Sequence, residues 1–310
     1  MAYRSIFTDS SPDERRDNFD DYLAYSRLHG GELLETDKDL STKRERLQYF
    51  RAHPVRSHRP LENPAAFYHN HVVFKDDPST IDPRILLWTC VYKFARHEWV
   101  GVSAAWDASP RLSEATTIIS RISRYHLAEE FCHVRYFEEM FRTFGLDRVV
   151  WVPLSPFRQR VYGLFPNLPG LLMNPIAFVT ELLGVMLYRH VDALLDQLFA
   201  DEPEARARIR ELLYEIMVDE IAHVGQRRNF LGSAQIRIAR RLVVPFFRLF
   251  FRDIPESGRL FDIDRMAKDG VAFDYSGLPD GLLERSWIPS YCRLPGMPGR
   301  TQASIRRGQD

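Results

Sequence analysis

The chain has 310 residues, of which 45% are hydrophobic and 27% charged, which is typical of a soluble globular protein with a sizeable core. Its 42 basic and 42 acidic side chains cancel, and this balance argues against a nucleic-acid partner. The three cysteines, Cys90, Cys132 and Cys292, are too far apart for a zinc or iron–sulfur site and suit a reduced, cytoplasmic setting.

The sequence does not indicate export or membrane insertion. Residues 1–5 are followed by acidic residues rather than by an apolar core, so we expect no secretory signal. The apolar runs are short or interrupted, which argues against an integral membrane protein.

The N-terminal part of the chain predicts helices followed by an irregular wrap. Residues 11–53 are charged and predict two helices separated at Gly30 and Gly31, where a helix ends easily. The stretch from Ala52 to Pro83 is rich in proline and histidine, so we expect it to wrap irregularly around a larger body. Its histidines are His53, His58, His69 and His71. Because they share no predicted rigid face, we interpret them as exposed or structural.

The next two predicted helices form a hairpin. Asp82 and Pro83 predict a helix start, because Asp caps a helix and Pro suits its first turn. This helix is expected to continue to about Ala108. A second helix is expected to begin near Ser113, and its apolar periodicity continues until Gly145 ends it.

A second predicted hairpin follows after a long connection. Four prolines after Val149 exclude an unbroken helix there, and a connection of this length usually crosses a bundle or covers a site. Asn174 and Pro175 predict the start of a third helix, and Pro203 predicts the start of a fourth, which ends near Asn229.

The last predicted helix spans Ser233 to Phe251, with a kink at Pro245. A basic amphipathic helix of this kind can lie on a membrane surface, or it can pack on the bundle with its arginines at the solvated edge. We expect the chain to have three parts: a helical and wrapping segment (1–82), the main helical domain (83–232), and a C-terminal helix with an extended tail packed on that domain (233–310).

The chemistry is carried by two Glu-x-x-His motifs. Glu130 and His133 lie on the second predicted helix, and Glu220 and His223 lie on the fourth. Residues three apart share one helix face, so each helix can offer a carboxylate and an imidazole to the same metal ion.

Each of the other two predicted helices carries a lone glutamate followed by a glycine, whose missing side chain leaves space for metal ions, dioxygen or substrate. These pairs are Glu98 with Gly101, and Glu181 with Gly184. Since the second hairpin turns near residue 201, Glu181 is expected to lie level with residue 221. The first hairpin turns near residue 110, which puts Glu98 level with residue 122, short of its partner motif.

Together these residues supply four carboxylates and two imidazoles. Sets of this kind hold carboxylate-bridged metal pairs between the helices of a bundle, so we expect two iron ions or a mixed iron–manganese pair. The absence of thiolates from the set argues against structural zinc. The expected ligands are Glu98, Glu130, His133, Glu181, Glu220 and His223.

With these motifs the chain resembles the ferritin-like di-iron carboxylate superfamily over about residues 83–230. The resemblance implies an all-α fold: a ferritin-like four-helix bundle with extra N- and C-terminal helices and a long Pro-rich crossover. It also implies that Glu129 and Asp219, which directly precede the motif glutamates, orient ligand histidines from outside the metal site. The alternative is that both lie on solvated helix edges.

Within the superfamily the chain is similar to the arylamine N-oxygenases, which convert amines to nitro compounds. The similarity implies an O2-activating non-haem di-iron oxygenase or oxidase that acts on a small organic substrate by N-oxygenation or hydroxylation. Those enzymes have a further histidine ligand at the position of Ile216. His126, one turn before Glu130, is a candidate for that seventh ligand, and the alternative is a hydrogen-bonded or structural histidine.

Four apolar residues lie one turn from expected ligands and either line a substrate pocket or belong to the core: Phe94, Val102, Phe178 and Val185. No flavin or nicotinamide fingerprint is present, so we expect an external electron donor and no catalytic group beyond the metal ligands. The alternatives are a non-catalytic iron- or manganese-binding ferritin-like protein and an interaction scaffold. Whether the chain forms a homodimer stays open.

Overall fold

The computed structural model of the chain describes residues 5–26, 39–111 and 113–286. The expected break at Gly30 and Gly31 and the expected tail beyond residue 286 lie outside these ranges. The described residues form twelve α-helices and no strand, so the expectation of an all-α fold is confirmed.

Four long helices form the centre of the protein: α4 (Pro83–Ala108), α5 (Ile118–Thr143), α7 (Gly170–Leu198) and α8 (Pro203–Asn229). Helix α5 packs against both α4 and α8, and α8 packs against α7. Helix α9 (Ser233–Phe251) packs on α7 and also reaches α4, where the ring centroids of Phe250 and Phe94 are 5.8 Å apart.

The shorter helices cover two sides of these four. They are α1 (Pro12–Ser26), α2 (Ser41–Ala52), α3 (Pro64–Asn70), α6 (Pro156–Leu164), α10 (Ser257–Leu260), α11 (Ile263–Val271) and α12 (Asp280–Ser286). Helix α1 packs on α5 and α8, and α2 packs on α5. Helices α3, α6 and α10 pack on α4, whereas α11 packs on α7 and α9.

Local capping explains where α4 and α5 begin. Helix α4 starts as predicted, because the Asp82 carboxylate accepts the backbone N–H of Arg84 at 2.6 Å. The predicted start of α5 near Ser113 is wrong by about one turn. The helix begins after Thr117, whose hydroxyl accepts the Ser120 N–H at 3.1 Å in a reciprocal cap.

The later start of α5 moves the turn of the first hairpin and corrects the register expected for Glu98. Glu98 lies ten residues before the end of α4, and ten residues after the start of α5 is position 128. Glu98 is therefore expected within one turn of Glu130. The offset that the sequence indicated came from placing the turn too early.

The predicted start of α7 at Asn174 is also wrong, because the helix begins at Gly170 and contains Pro175. Pro175 has no N–H to donate to the carbonyl one turn earlier. The side chain of Gln235 donates to that Leu171 carbonyl at 3.5 Å and to the Gly170 carbonyl at 3.1 Å. A tertiary hydrogen bond thus replaces the helical one that proline removes.

The two proline-rich connections are more ordered than the sequence indicated. The stretch before α4 contains α3 and a 3-10 turn at Pro78–Thr80. The connection between α5 and α7 contains α6, followed by a 3-10 turn at Phe165–Asn167. Prolines occupy the first turn of each of these short elements, where a missing N–H costs little.

Two helices bear on the membrane question. Helix α7 is long and apolar enough to cross a membrane by length and composition alone, but more than half of its most apolar stretch is buried, as in core helices of soluble proteins. Helix α9 is continuous through Pro245 and packs its buried face on the protein. That face consists of Ile236, Ala239, Val243, Phe247 and Phe251.

Candidate metal centre

The structure brings the six expected ligands together with His126, in two adjacent groups. In each group the potential ligand atoms lie within 4.8 Å of one another. The first group is Glu98, Glu130, His133 and Glu220. The second group is His126, Glu130, Glu181 and His223. Because Glu130 belongs to both groups, its two carboxylate oxygens can serve both.

The first group is centred on the inner ring nitrogen of His133. His133 Nδ1 lies 3.3 Å from a carboxylate oxygen of Glu130 and 3.3 Å from one of Glu220. Glu98 Oε1 is 3.5 Å from the same nitrogen. The group therefore joins side chains from α4, α5 and α8 around one point.

The second group has the same organisation, with one more imidazole. His223 Nδ1 lies 2.9 Å from Glu130 Oε1, and His126 Nε2 lies 3.2 Å from Glu181 Oε1 and 3.3 Å from Glu130 Oε1. The rings of His126 and His223 stack with centroids 3.7 Å apart. Position 216, where a further ligand histidine was considered, is a fully buried isoleucine, and the additional imidazole of this group comes from α5.

The outer ring nitrogens contact the two acidic residues that precede the motifs. His133 Nε2 lies 2.9 Å from Asp219 Oδ2, and His223 Nε2 lies 2.8 Å from Glu129 Oε2. With Nε2 donating its proton to the carboxylate, Nδ1 presents a lone pair to the group. Both acids are buried, so the alternative of solvated helix edges does not describe them.

Three polar residues that the sequence did not single out support these acids and ligands. Lys43 Nζ lies 2.6 Å from both Asp219 oxygens, and the Tyr22 hydroxyl is 3.5 Å from Glu129 Oε2. The Tyr188 hydroxyl donates to Glu98 Oε2 at 2.9 Å. Tyr188 follows Glu181 by seven residues, two helical turns, and this spacing could have identified it. No comparable signal marks Lys43 or Tyr22.

His126 has additional partners on α8. Its Nδ1 lies 2.5 Å from Gln226 Oε1, and an Arg227 nitrogen lies 3.4 Å from its Nε2. Arg227 also donates to Glu181 Oε1 at 3.3 Å. The positive charge of the Arg227 guanidinium therefore partly neutralises the carboxylates of the second group.

Burial dominates the electrostatics of the carboxylates. Burial raises the pKa of Glu98 to about 7, with a further contribution from the charge of Glu130. The same two causes raise the pKa of Glu220 well above its usual range. Burial also acts to raise the pKa of Glu130, but the charge on His133 and the close approach of the neighbouring imidazoles outweigh it and hold that pKa well below its usual range.

For the two motif histidines, burial acts to lower the pKa and the neighbouring carboxylates act to raise it. Burial alone would lower the pKa of His133, yet the charge of Glu130 and hydrogen bonds to Asp219 raise it well above its usual value. Burial likewise opposes protonation of His223, and the hydrogen bond to Glu129 together with the charge of Glu130 raises its pKa well above the usual value. Without a metal, protons on these imidazoles supply the positive charge that the buried carboxylates require.

Three buried ligand atoms have no hydrogen-bond partner among the described residues. They are Glu98 Oε1, His133 Nδ1 and His223 Nδ1. Buried polar atoms nearly always have a partner, and metal cations bind through such oxygen and imidazole lone pairs. The donor set therefore fits a pair of metal ions.

The two glycines that follow the lone glutamates play different parts. A Cβ at Gly184 would lie 3.2 Å from Glu220 Oε2, so this glycine leaves space for a candidate ligand. A Cβ at Gly101 would instead lie 3.2 Å from the ring of Tyr162 on α6. The expectation that Gly101 leaves space beside the metals is therefore wrong, since the space holds a packed tyrosine.

No family model, curated protein or solved structure matches the chain. The interpretation of this centre therefore depends on the geometry and chemistry of its own side chains.

The four residues suggested for a substrate pocket are placed differently from one another. Phe94, Phe178 and Val185 are buried in the core, and Val102 is half-buried. Phe94 packs on Tyr188, with ring centroids 5.5 Å apart. A cavity of about 150 Å³ lies elsewhere, between α2, α5 and α8, and its lining includes Phe50 rather than the candidate ligands.

The histidines before α4 remain apart from both groups. His53, His58 and His69 are exposed and His71 is half-buried. His71 stacks on Phe67, with ring centroids 5.1 Å apart, and its Nδ1 lies 3.0 Å from the Tyr68 carbonyl oxygen.

Proposed function

We propose that this chain is a ferritin-like di-metal protein whose four long helices form a four-helix bundle around two iron ions, or one iron and one manganese. The observation that carries the proposal is the sharing of Glu130 between two buried groups of carboxylates and imidazoles drawn from all four helices. The three ligand atoms that have carboxylate or imidazole neighbours but no hydrogen-bond partner among the described residues support it. Most buried polar atoms have a hydrogen-bond partner, and a metal ion would occupy the lone pairs of these three.

The residues of each group would hold one ion. Glu98, His133 and Glu220 would hold the first, while Glu181 and His223 would hold the second. Glu130 would serve both ions. His126 is a suitable further ligand to the second ion, because Gln226 accepts a hydrogen bond from its Nδ1 and leaves the lone pair of Nε2 directed at Glu130 and Glu181.

We propose that the activity is that of an O2-activating non-haem oxygenase or oxidase acting on a small organic substrate by N-oxygenation or hydroxylation. When bound, two reduced iron ions would supply the electrons that dioxygen accepts, and a separate donor would have to replace those electrons. The protein's own part is to exclude water by burial, and to fix the imidazole tautomers through Asp219 and Glu129. Tyr188 orients Glu98 by a hydrogen bond.

A second candidate function is iron or manganese binding without an organic substrate. One observation favours it: Phe94, Phe178 and Val185, which the sequence suggested for a substrate pocket, are at most 7% exposed. A catalytic protein would need these side chains to move, or a substrate to reach the centre from another direction. Product analysis separates the two functions.

The test is anaerobic loading with Fe(II), followed by metal analysis and exposure to oxygen with amine and aromatic substrates. We expect about two iron ions per chain, as the two ligand groups require, and substrate-dependent oxygen consumption. Glu130→Gln should lose most of the iron. Glu211→Gln, a substitution at an exposed position of α8, should keep it. A wild-type chain that binds no iron, and whose thermal stability ignores Fe(II), would refute the proposal.

A further inference from the structure

Large apolar side chains are exposed in an uneven way over the protein. Of the twelve exposed in the described part of the chain, eight belong to the stretch from α6 to the start of α7 or to α9. The six in that stretch are Phe157, Val161, Leu164, Leu168, Leu171 and Leu172. A concentration of this kind on a protein surface usually marks a binding site.

Helix α6 itself is an amphipathic helix with its apolar face outward. Phe157, Val161 and Leu164 are spaced by four and three residues and therefore share one face, and they are 74%, 50% and 65% exposed. None of the nine residues of α6, all of which the structure describes, is buried. The opposite side of the helix is anchored by Tyr162, whose hydroxyl lies 2.9 Å from His97 Nδ1 on α4.

Helix α9 contacts this stretch near both of its ends. At one end Gln235 donates to the Gly170 carbonyl at 3.1 Å, and just beyond the other end Asp253 pairs with Arg158. Gln235, in the first turn, marks the side of α9 that meets the stretch.

The side of α9 that meets this stretch adds two more exposed apolar residues. Ile238 follows Gln235 by about one turn and Leu249 follows it by about four turns, so both lie toward that side. They are 43% and 62% exposed. We refer to these two residues, together with the six in the stretch from α6 to α7, as the α6–α9 face.

Most of the charged side chains around the α6–α9 face are basic. Residues 148–180 contain no Asp or Glu, and neither do residues 233–252, although the whole chain has equal numbers of acids and bases. Asp253 pairs with Arg158 and Asp264 pairs with Arg248, whereas Arg160, Arg241 and Arg252 are exposed. Positive charge therefore lies beside the largest concentration of exposed apolar side chains in the described part of the chain.

We propose that the α6–α9 face binds the surface of an anionic lipid bilayer. The apolar side chains would enter the boundary between headgroups and acyl chains, and the arginines would lie against lipid phosphates, which is the arrangement of interfacial amphipathic helices. The face lies on the surface of the bilayer rather than spanning it.

A second copy of the chain suits this face less well than a membrane. In a two-fold dimer the same patch meets itself, so Arg160 and Arg241 of one copy would face the equally basic patch of the other. Like charges brought together across an interface cost binding energy, whereas anionic headgroups complement them. Charge complementarity therefore selects the lipid surface.

Lipid binding would bring the bilayer next to the candidate metal centre. Tyr162, on the inner side of α6, packs over Gly101, one helical turn from Glu98. Docking does not require a bound metal, so the inference and the proposed function can fail separately.

Sedimentation with vesicles tests the inference on the full chain. We expect the wild type to pellet with mixed phosphatidylcholine–phosphatidylglycerol vesicles. Its affinity for pure phosphatidylcholine vesicles should be lower by about tenfold or more. Raising the salt concentration should release the bound protein, since the attraction to headgroups is screened.

Two double variants separate the apolar and the charged contributions. Phe157→Asp with Leu164→Asp, and Arg160→Glu with Arg241→Glu, should each weaken binding to the mixed vesicles by about tenfold or more. The controls are Tyr49→Asp on α2, and Arg16→Glu with Arg121→Glu on α1 and α5, exposed positions that do not belong to the α6–α9 face. Circular dichroism and iron content confirm that each variant is folded.

Several results would overturn the inference. It fails if the wild type ignores the mixed vesicles, if it binds both kinds of vesicle equally, or if the two double variants bind as the controls do. If the wild type ignores vesicles and the Phe157→Asp, Leu164→Asp variant turns a dimer into a monomer, the face is an interface between two copies of the chain. Iron binding by the same preparations tests the proposed function independently.

Discussion

Asp219 on α8 hydrogen-bonds His133 on α5, with 2.9 Å between the carboxylate oxygen and Nε2. The reciprocal contact joins Glu129 on α5 to His223 on α8 at 2.8 Å. Each motif helix therefore orients the imidazole of the other. The candidate ligands reach their positions only when α5 and α8 are packed in this register, so the two hairpins depend on each other.

Asp219→Asn keeps the shape of the side chain and removes its charge. His133 then loses the partner that holds its tautomer, and we expect metal affinity to fall by about 10- to 100-fold, as for other outer partners of ligand histidines. Competition titration with a chelator measures the change. The control is Glu211→Gln, an exposed change on the same helix that should leave affinity unaltered. Equal affinity in Asp219→Asn and wild type would contradict this role.

Lys43→Met tests the support that α2 gives to the centre. Lys43 and Asp219 are both at least 90% buried and lie 2.6 Å apart. Removing one partner of a buried ion pair costs about 3–5 kcal/mol, and the remaining contact with His133 places the expected loss toward the lower figure. Urea denaturation of the metal-free protein measures it. The exposed pair of Arg59 with Asp201 is the matched control, and Arg59→Met should change stability little.

The stability of the metal-free protein should fall as pH rises from about 5 to 8. Four groups at the centre have raised pKa values in the folded protein: Glu98, at about 7, Glu220, His133 and His223. A raised pKa stabilises the fold below the unfolded pKa, and this contribution is lost as pH rises through the folded one. Outside the centre, burial lowers the pKa values of His71, His97 and His190, and these act in the opposite sense only below about pH 6.5.

Three carboxylates at the centre have lowered pKa values: Glu130, Glu181 and Asp219. Their contribution is complete above the unfolded values near pH 4 and does not change in this window.

Metal binding should reverse this pH trend, because cations replace the protons on the same groups. Thermal denaturation at several pH values, with and without Fe(II) under nitrogen, measures both effects. We expect the stabilisation by metal to grow with pH. A metal-free protein that becomes more stable between pH 5 and 8 would contradict the pKa directions.

Gly184→Ala should disturb the centre without changing any ligand. The added Cβ would lie 3.2 Å from Glu220 Oε2, so the carboxylate must move, and overpacking of this kind costs about 1–3 kcal/mol. We expect weaker metal binding and a lower melting temperature. Gly163→Ala on α6 is the control, since the described part of the chain has nothing within 4 Å of its Cβ. There the change should leave metal binding intact.

Local rules in the sequence were sufficient to predict the four long helices and the side chains that each offers. The cap at Asp82 and the apolar periodicity predict these helices, and residues three apart must share a face whatever surrounds them. The short turn before Pro203 also predicts the level of Glu181, between Glu220 and His223, because an antiparallel hairpin leaves little freedom.

Only the tertiary structure decided how these helices meet. The crosswise contacts, the partner that Lys43 finds on α8, and the position of His126 depend on the rotation and stagger of helices far apart in sequence. The start of α7 shows the same limit. Pro175 predicts that a helix begins there, but the helix begins earlier because Gln235, sixty residues later, donates to the carbonyl that Pro175 leaves without a backbone partner. Short-range signals determine what each helix can offer, whereas packing determines which of those side chains face one another.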